Sequence, residues 1–106
     1  MKANEFLKAL PERVDPGSIA DSETCFHFDL AEPDGCQLTV RISEGNIQVL
    51  EGLQYEPKCV VRGSGENFMK VIRKELNPLM ALLMGKIKVS DQKELTRFAK
   101  IFGLMK

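Results

Sequence analysis

Cys36-Gln37-Leu38-Thr39-Val40-Arg41-Ile42-Ser43 alternates apolar and polar residues without a break. Successive side chains of a strand point to opposite faces, so Leu38, Val40 and Ile42 share one side and Gln37, Thr39 and Arg41 the other. Downstream, Glu44-Gly45-Asn46 is a turn, and Ile47 and Val49 continue the apolar face on a second strand. Upstream, Pro33-Asp34-Gly35 is another turn, preceded by Thr24–Leu30 with Phe26, Phe28 and Leu30 on one face. Strands joined by such short turns are antiparallel neighbours with one buried and one wet face. After Gly52 and Pro57, Lys58–Arg62 forms a fourth strand that turns Cys59 and Val61 inward.

The period changes on both sides of this region. Residues 3–10 place Phe6, Leu7 and Leu10 on one helical stripe, and Pro11 ends that helix or opens a second turn. Ser64 is an N-cap with Glu66 in the first turn, followed by Phe68, Val71, Ile72 and Leu76 on one face. Asn77-Pro78 restarts the chain as cap and first helical residue. Leu79–Met84 is apolar all round, which predicts a short helix buried on more than one side. Gly85 ends it, and residues 85–90 form a fifth strand with Lys86 and Lys88 on its outer face. Asp91 to Glu94 has capping-box character, and Leu95, Phe98, Ala99, Phe102 and Met105 line a last helical stripe. The order α-β-β-β-β-α-α-β-α gives an α+β class: one domain over residues 1–106, with helices packed on a five-stranded, mostly antiparallel sheet.

Of the 106 residues, 31 are Leu, Ile, Val or Phe, enough for an ordinary core. Fifteen Lys and Arg balance fifteen Asp and Glu. That neutrality lacks the cationic excess on which nucleic-acid binding rests, and it limits contact with an anionic membrane to a transient one. The longest apolar run, Leu79–Met84, is far shorter than the roughly 20 residues of a membrane span. No signal-peptide core opens the chain, and Cys25, Cys36 and Cys59 show no C-x-x-C spacing. Reduced thiols and a cytoplasmic location are expected.

Candidate chemistry is sparse. Cys25, His27 and Asp29 share one face of the first strand, a set that could form a Cys–His pair or a metal site. A solvated outer face is the favoured reading, because side chains two apart on a strand diverge along its length. Gly63-Ser64-Gly65 before a helix is similar to an anion-binding turn but lacks the lysine and spacing of a P-loop. Glu32 with Asp34, and Asp15 with Asp21, lie in polar loops where nothing raises a carboxyl pKa. The expectation is a protein that is not an enzyme and holds neither metal nor cofactor. The second half instead concentrates Met80, Met84 and Met105 beside Phe68, Phe98 and Phe102, side chains that fill a core or repack around a guest.

Leu76-Asn77-Pro78-Leu79-Met80-Ala81-Leu82-Leu83-Met84-Gly85-Lys86-Ile87-Lys88-Val89 resembles the "L-N-P…M-x-G-K-L-K-V" segment of the sterol carrier protein type-2 domain family. Ser64 to Phe68 is similar to that family's "S-x-E-D-F" helix start, and the resemblance runs from about Leu10 to Phe102. The chain has no Trp, with which the family's second strand often begins, and it ends without a peroxisomal address. The resemblance implies a hydrophobic tunnel between the inner sheet face and the helices. It further implies a non-enzymatic intracellular lipid-binding or lipid-transfer protein for a fatty acid, acyl-CoA, sterol, phospholipid or quinone. The expected wall is Leu38, Val40, Met80, Leu83, Met84, Phe98, Phe102 and Met105, with the C-terminal helix as a gate. Arg73, Lys74, Arg97 or Lys100 would meet an anionic head group. Burying an acyl tail at about 0.8 kcal/mol per methylene, against an association cost of about 4–15 kcal/mol, gives exchangeable binding near micromolar. The alternative is an interaction or dimerisation module whose apolar cleft serves a partner protein or a second copy.

Overall fold

In the computed structural model, which describes residues 1–102, the three alternating segments form a meander. Strand β1 (Thr24–Ala31) pairs antiparallel with β2 (Cys36–Ser43), and β2 pairs antiparallel with β3 (Asn46–Glu51). Phe26 lies opposite Val40 and Phe28 opposite Leu38, so the predicted apolar faces coincide. Strand β4 (Cys59–Ser64) joins the far side of β1 in parallel, with Phe26 opposite Cys59. Strand β5 (Ile87–Val89) pairs antiparallel with β4, giving the order β3-β2-β1-β4-β5 in an open sheet.

That order forces residues 52–58 to cross β2 and β1, and they do so over the outer face. His27 Nε2 donates to the Gln54 carbonyl at 2.7 Å. The Thr39 hydroxyl donates to the Gly52 carbonyl and accepts from the Gln54 amide, both at 2.8 Å. The Arg41 guanidinium lies 4.7 Å from the centre of the Tyr55 ring, and the Lys58 amide donates to the Cys25 carbonyl. Cys25, His27 and Thr39 are therefore buried. The solvated face expected for Cys25, His27 and Asp29 is corrected: a strand crossing covers it, and only Asp29 stays half-exposed.

The inner face carries the core. Helices α1 (Ala3–Lys8) and α2 (Leu10–Arg13), split at Ala9 before Pro11, bring Phe6, Leu7 and Leu10 onto the sheet. Helix α3 (Gly65–Ile72) adds Phe68, Met69 and Val71. An aromatic cluster ties the layers together: Phe102 lies 4.8 Å from Phe26 and 5.2 Å from Phe28, and Phe68 lies 5.5 Å from Phe28.

Two helices depart from expectation. Helix α4 (Pro78–Leu83) buries only Ala81, leaving Leu79, Met80, Leu83 and Met84 exposed. It lies at the rim of the domain, where a helix of this length meets its neighbours along one face only. Helix α5 (Gln92–Arg97) stops short of the stripe that predicted it. At Phe98 the backbone leaves the helical basin (φ −109°, ψ 14°), and turns carry the chain to Phe102. Met105 lies outside the described residues.

Gly63-Ser64-Gly65 is an ordinary capped helix start, as favoured over an anion-binding turn, and its two glycines serve close approach. A Cβ on Gly65 would stand 1.5 Å from the Asp34 carbonyl oxygen, and one on Gly63 would stand 2.6 Å from that of Lys86. The first amides of α3 are already occupied. That of Glu66 donates to the Pro33 carbonyl and that of Asn67 to the Ser64 hydroxyl, so no anion is received there.

Candidate functional site: an apolar cavity under helix α4

Local sequence signals build the walls of the cavity. The Asn77 side chain caps α4 by accepting from the amides of Leu79 (2.9 Å) and Met80 (3.3 Å). Gly85 takes a left-handed conformation (φ 72°) that reverses the chain after the helix, as glycine does without steric cost. The Lys86 amide then donates to the Ala81 carbonyl, and the chain enters β5 with Ile87 facing inward. Asp91 caps α5 through the amides of Lys93 and Glu94, and the Thr24 hydroxyl donates to the Glu94 carboxylate.

These elements border a partly open cavity of about 40 Å³ lined by Val61, Phe68, Val71, Pro78, Ala81, Leu82, Ile87 and Leu95. At roughly 10–15 Å³ per water-sized guest, it has room for about three such guests. Its wall is apolar throughout, so burial is the interaction it offers. The wall residues sit on β4, β5, α3, α4 and α5, and the last two form its least anchored side: α4 contributes one fully buried residue and α5 none.

Among the described residues, the expected wall residues do not line this cavity. Leu38 and Val40 are fully buried in the packed core, facing Phe28 and Phe26 across the strand pair. Phe98 and Phe102 belong to the aromatic cluster. Met80, Leu83 and Met84 are exposed on the outer side of α4 and take no part in the lining. The residues that do line it were visible as core stripes in the case of Phe68, Val71 and Leu95. Ala81 and Leu82 carried no distinguishing signal, because every neighbour in α4 is also apolar.

Of the cationic candidates, Arg97 and Lys100 meet Arg13 along a separate cleft of about 260 Å³ that also exposes Val14 and Ile101, and Arg97 pairs with Glu94. Arg73 is paired with Glu75, and Lys74 is exposed beyond the end of α3. Burial pushes the Cys59 thiol up from its usual value, opposed by hydrogen bonding at the Asp91 carbonyl and Ser90. The Cys25 and Cys36 thiols are also raised by burial. Thiols held protonated are poor nucleophiles and poor metal ligands. Among the described residues no three His, Cys, Asp or Glu side chains converge on one point.

Residues 3–102 match the SCP-2 sterol transfer family. The chain belongs to that family. The family is known for non-enzymatic lipid-carrier domains, and membership in it supports lipid binding in general. No curated protein sequence matches the chain. Among solved structures, palmitated SCP2L2 from Aedes aegypti is 23% identical, with a TM-score of 0.71 over 96% of this chain and 95% of the other. Sterol carrier protein domain 2 of Helicoverpa armigera is 21% identical, with a TM-score of 0.74 over 96% of this chain and 86% of the other. The inverting sec-alkylsulfatase Pisa1 from Pseudomonas sp. is 16% identical, with a TM-score of 0.76. It covers 99% of this SCP-2 chain, which spans only 16% of the sulfatase. At these identities the likenesses establish a shared fold, open five-stranded sheet included.

Proposed function

We propose that this SCP-2 domain is an intracellular, cytoplasmic lipid carrier that takes an acyl or similarly extended apolar chain into the cavity between β4–β5 and α3–α5. The observation that carries the reading is an all-apolar cavity whose α4–α5 side has little buried anchorage. A long acyl chain exceeds about 40 Å³, so loading displaces α4 and α5 outward while the sheet and aromatic cluster stay fixed. Apolar burial is non-directional, so affinity follows chain length across fatty acids, acyl-CoA, sterols, phospholipids and quinones, and only rim groups discriminate heads. The palmitated relative supports an acyl chain as the first ligand to test.

The test is titration of delipidated protein with a fluorescent fatty acid, followed by competition with sterol and quinone. Saturable one-to-one binding near micromolar is expected for the fatty acid. Absence of saturable binding for all three would overturn the reading.

A further inference from the structure

Helix α4 has two faces that its uniformly apolar sequence conceals. At 3.6 residues per turn, Leu79, Leu83, Met80 and Met84 fall within an arc of about 140°, and Pro78, Ala81 and Leu82 occupy the opposite side. The second set lines the cavity. The first set is 64%, 75%, 47% and 58% exposed in the same order, an unusual density of large apolar side chains on one turn and a half of helix.

Charge in the segment that carries this face is one-sided. Residues 70–88 hold five cations, Lys70, Arg73, Lys74, Lys86 and Lys88, and one anion, Glu75. The rest of the chain holds ten cations and fourteen anions, so overall neutrality is the sum of two opposed regions. Lys70 and Arg73 pair with Glu66 and Glu75, while among the described residues Lys74, Lys86 and Lys88 take part in no ion pair and are exposed. Lys86 follows Met84 by two residues and is tied to α4 through the Ala81 carbonyl.

We propose that the outer face of α4 docks the domain on an anionic bilayer, with Leu79, Met80, Leu83 and Met84 entering the interface and Lys74, Lys86 and Lys88 meeting lipid phosphates. Protruding, flexible apolar side chains flanked by ammonium groups suit a fluid anionic surface, as in interfacial helices. The inner face of the same helix roofs the cavity, so docking places a lipid reservoir one helix away from the lipid site. The route of exchange rests on the carrier reading; the docking does not.

The test is co-sedimentation with vesicles of equal parts phosphatidylglycerol and phosphatidylcholine, alongside solution binding of a fluorescent fatty acid without vesicles. The wild-type protein is expected to sediment with these vesicles, less so at high salt, and not with pure phosphatidylcholine. Leu83→Glu with Met84→Glu, and separately Lys86→Glu with Lys88→Glu, should each weaken vesicle binding by at least roughly tenfold. Both variants should bind the soluble fatty acid like the wild type. If no protein binds the fatty acid but the vesicle losses stand, docking holds and the carrier reading fails. Vesicle binding unchanged in both variants overturns the docking proposal. So does a wild-type protein that ignores vesicles but sediments as a dimer dissociated by Leu83→Glu with Met84→Glu, which would make a second copy the occupant.

Discussion

Ala81→Leu tests whether the cavity under α4 is the ligand site. Ala81 is fully buried and turned into the lining, and the substitution adds three carbons to a space of about 40 Å³. Three carbons at about 0.8 kcal/mol each make about 2.4 kcal/mol of apolar burial that the ligand loses to the side chain, or roughly 60-fold in Kd. In the empty protein the same burial is set against an overpacking cost of about 1–3 kcal/mol, so stability should stay within about 1 kcal/mol of wild type. The assay is fatty-acid titration beside a urea melt of each protein. Ala31→Leu, which adds the same carbons at the exposed end of β1, should change neither. An Ala81→Leu protein that binds with wild-type Kd would refute this placement of the site.

Gly65→Ala forces a Cβ to within 1.5 Å of the Asp34 carbonyl oxygen, a backbone atom that cannot yield cheaply. A loss of about 3 kcal/mol or more is expected, read as a lower urea midpoint, and a midpoint equal to wild type would exclude the clash. His27→Ala removes the donor to the Gln54 carbonyl and should cost about 1–3 kcal/mol, with faster proteolysis between residues 52 and 58 as its local signature. The buried Cys25 and Cys59 thiols have pKa values raised by folding, so between the unfolded and folded values the native state binds more protons. Their contribution is complete below the ordinary thiol value of about 8.5 and is lost as pH rises through the higher folded values. Urea melts at stepped pH should show that decline, and Cys25→Ala with Cys59→Ala should flatten it.

The meander was legible because each strand alternates an apolar face with a more polar one, so Phe26, Phe28, Leu38, Val40 and Ile42 announce both the strand and the face that meets the core. The N-cap of α4 was equally plain, since Asn77 before Pro78 has one common structural meaning. The orientation of that helix was not, because six apolar residues in a row contain no contrast for periodicity to detect. The covering of His27 and Thr39 left no trace either: the groups that bond them are the backbone carbonyls of Gly52 and Gln54, which every sequence possesses. The whole-chain balance of fifteen charges against fifteen also hid a local contrast, since summation cancels the five cations and one anion of residues 70–88 against the rest of the chain.

The position of β1 between β2 and β4 has a kinetic consequence. Its pairing with β2 closes a turn of a few residues, whereas Phe26 meets Cys59 only after the chain has closed a far longer loop. Loop-closure entropy therefore puts the β1–β2–β3 meander first and the parallel β1–β4 pairing later in the folding reaction. Strand β5 has no strand to pair with until β4 is in place, and α4 is tied to the start of β5 through the Ala81 carbonyl. Under the proposed carrier reading, the part of the domain that assembles last is also the part that opens to load, so a lipid entering under α4 would follow the final step of folding in reverse.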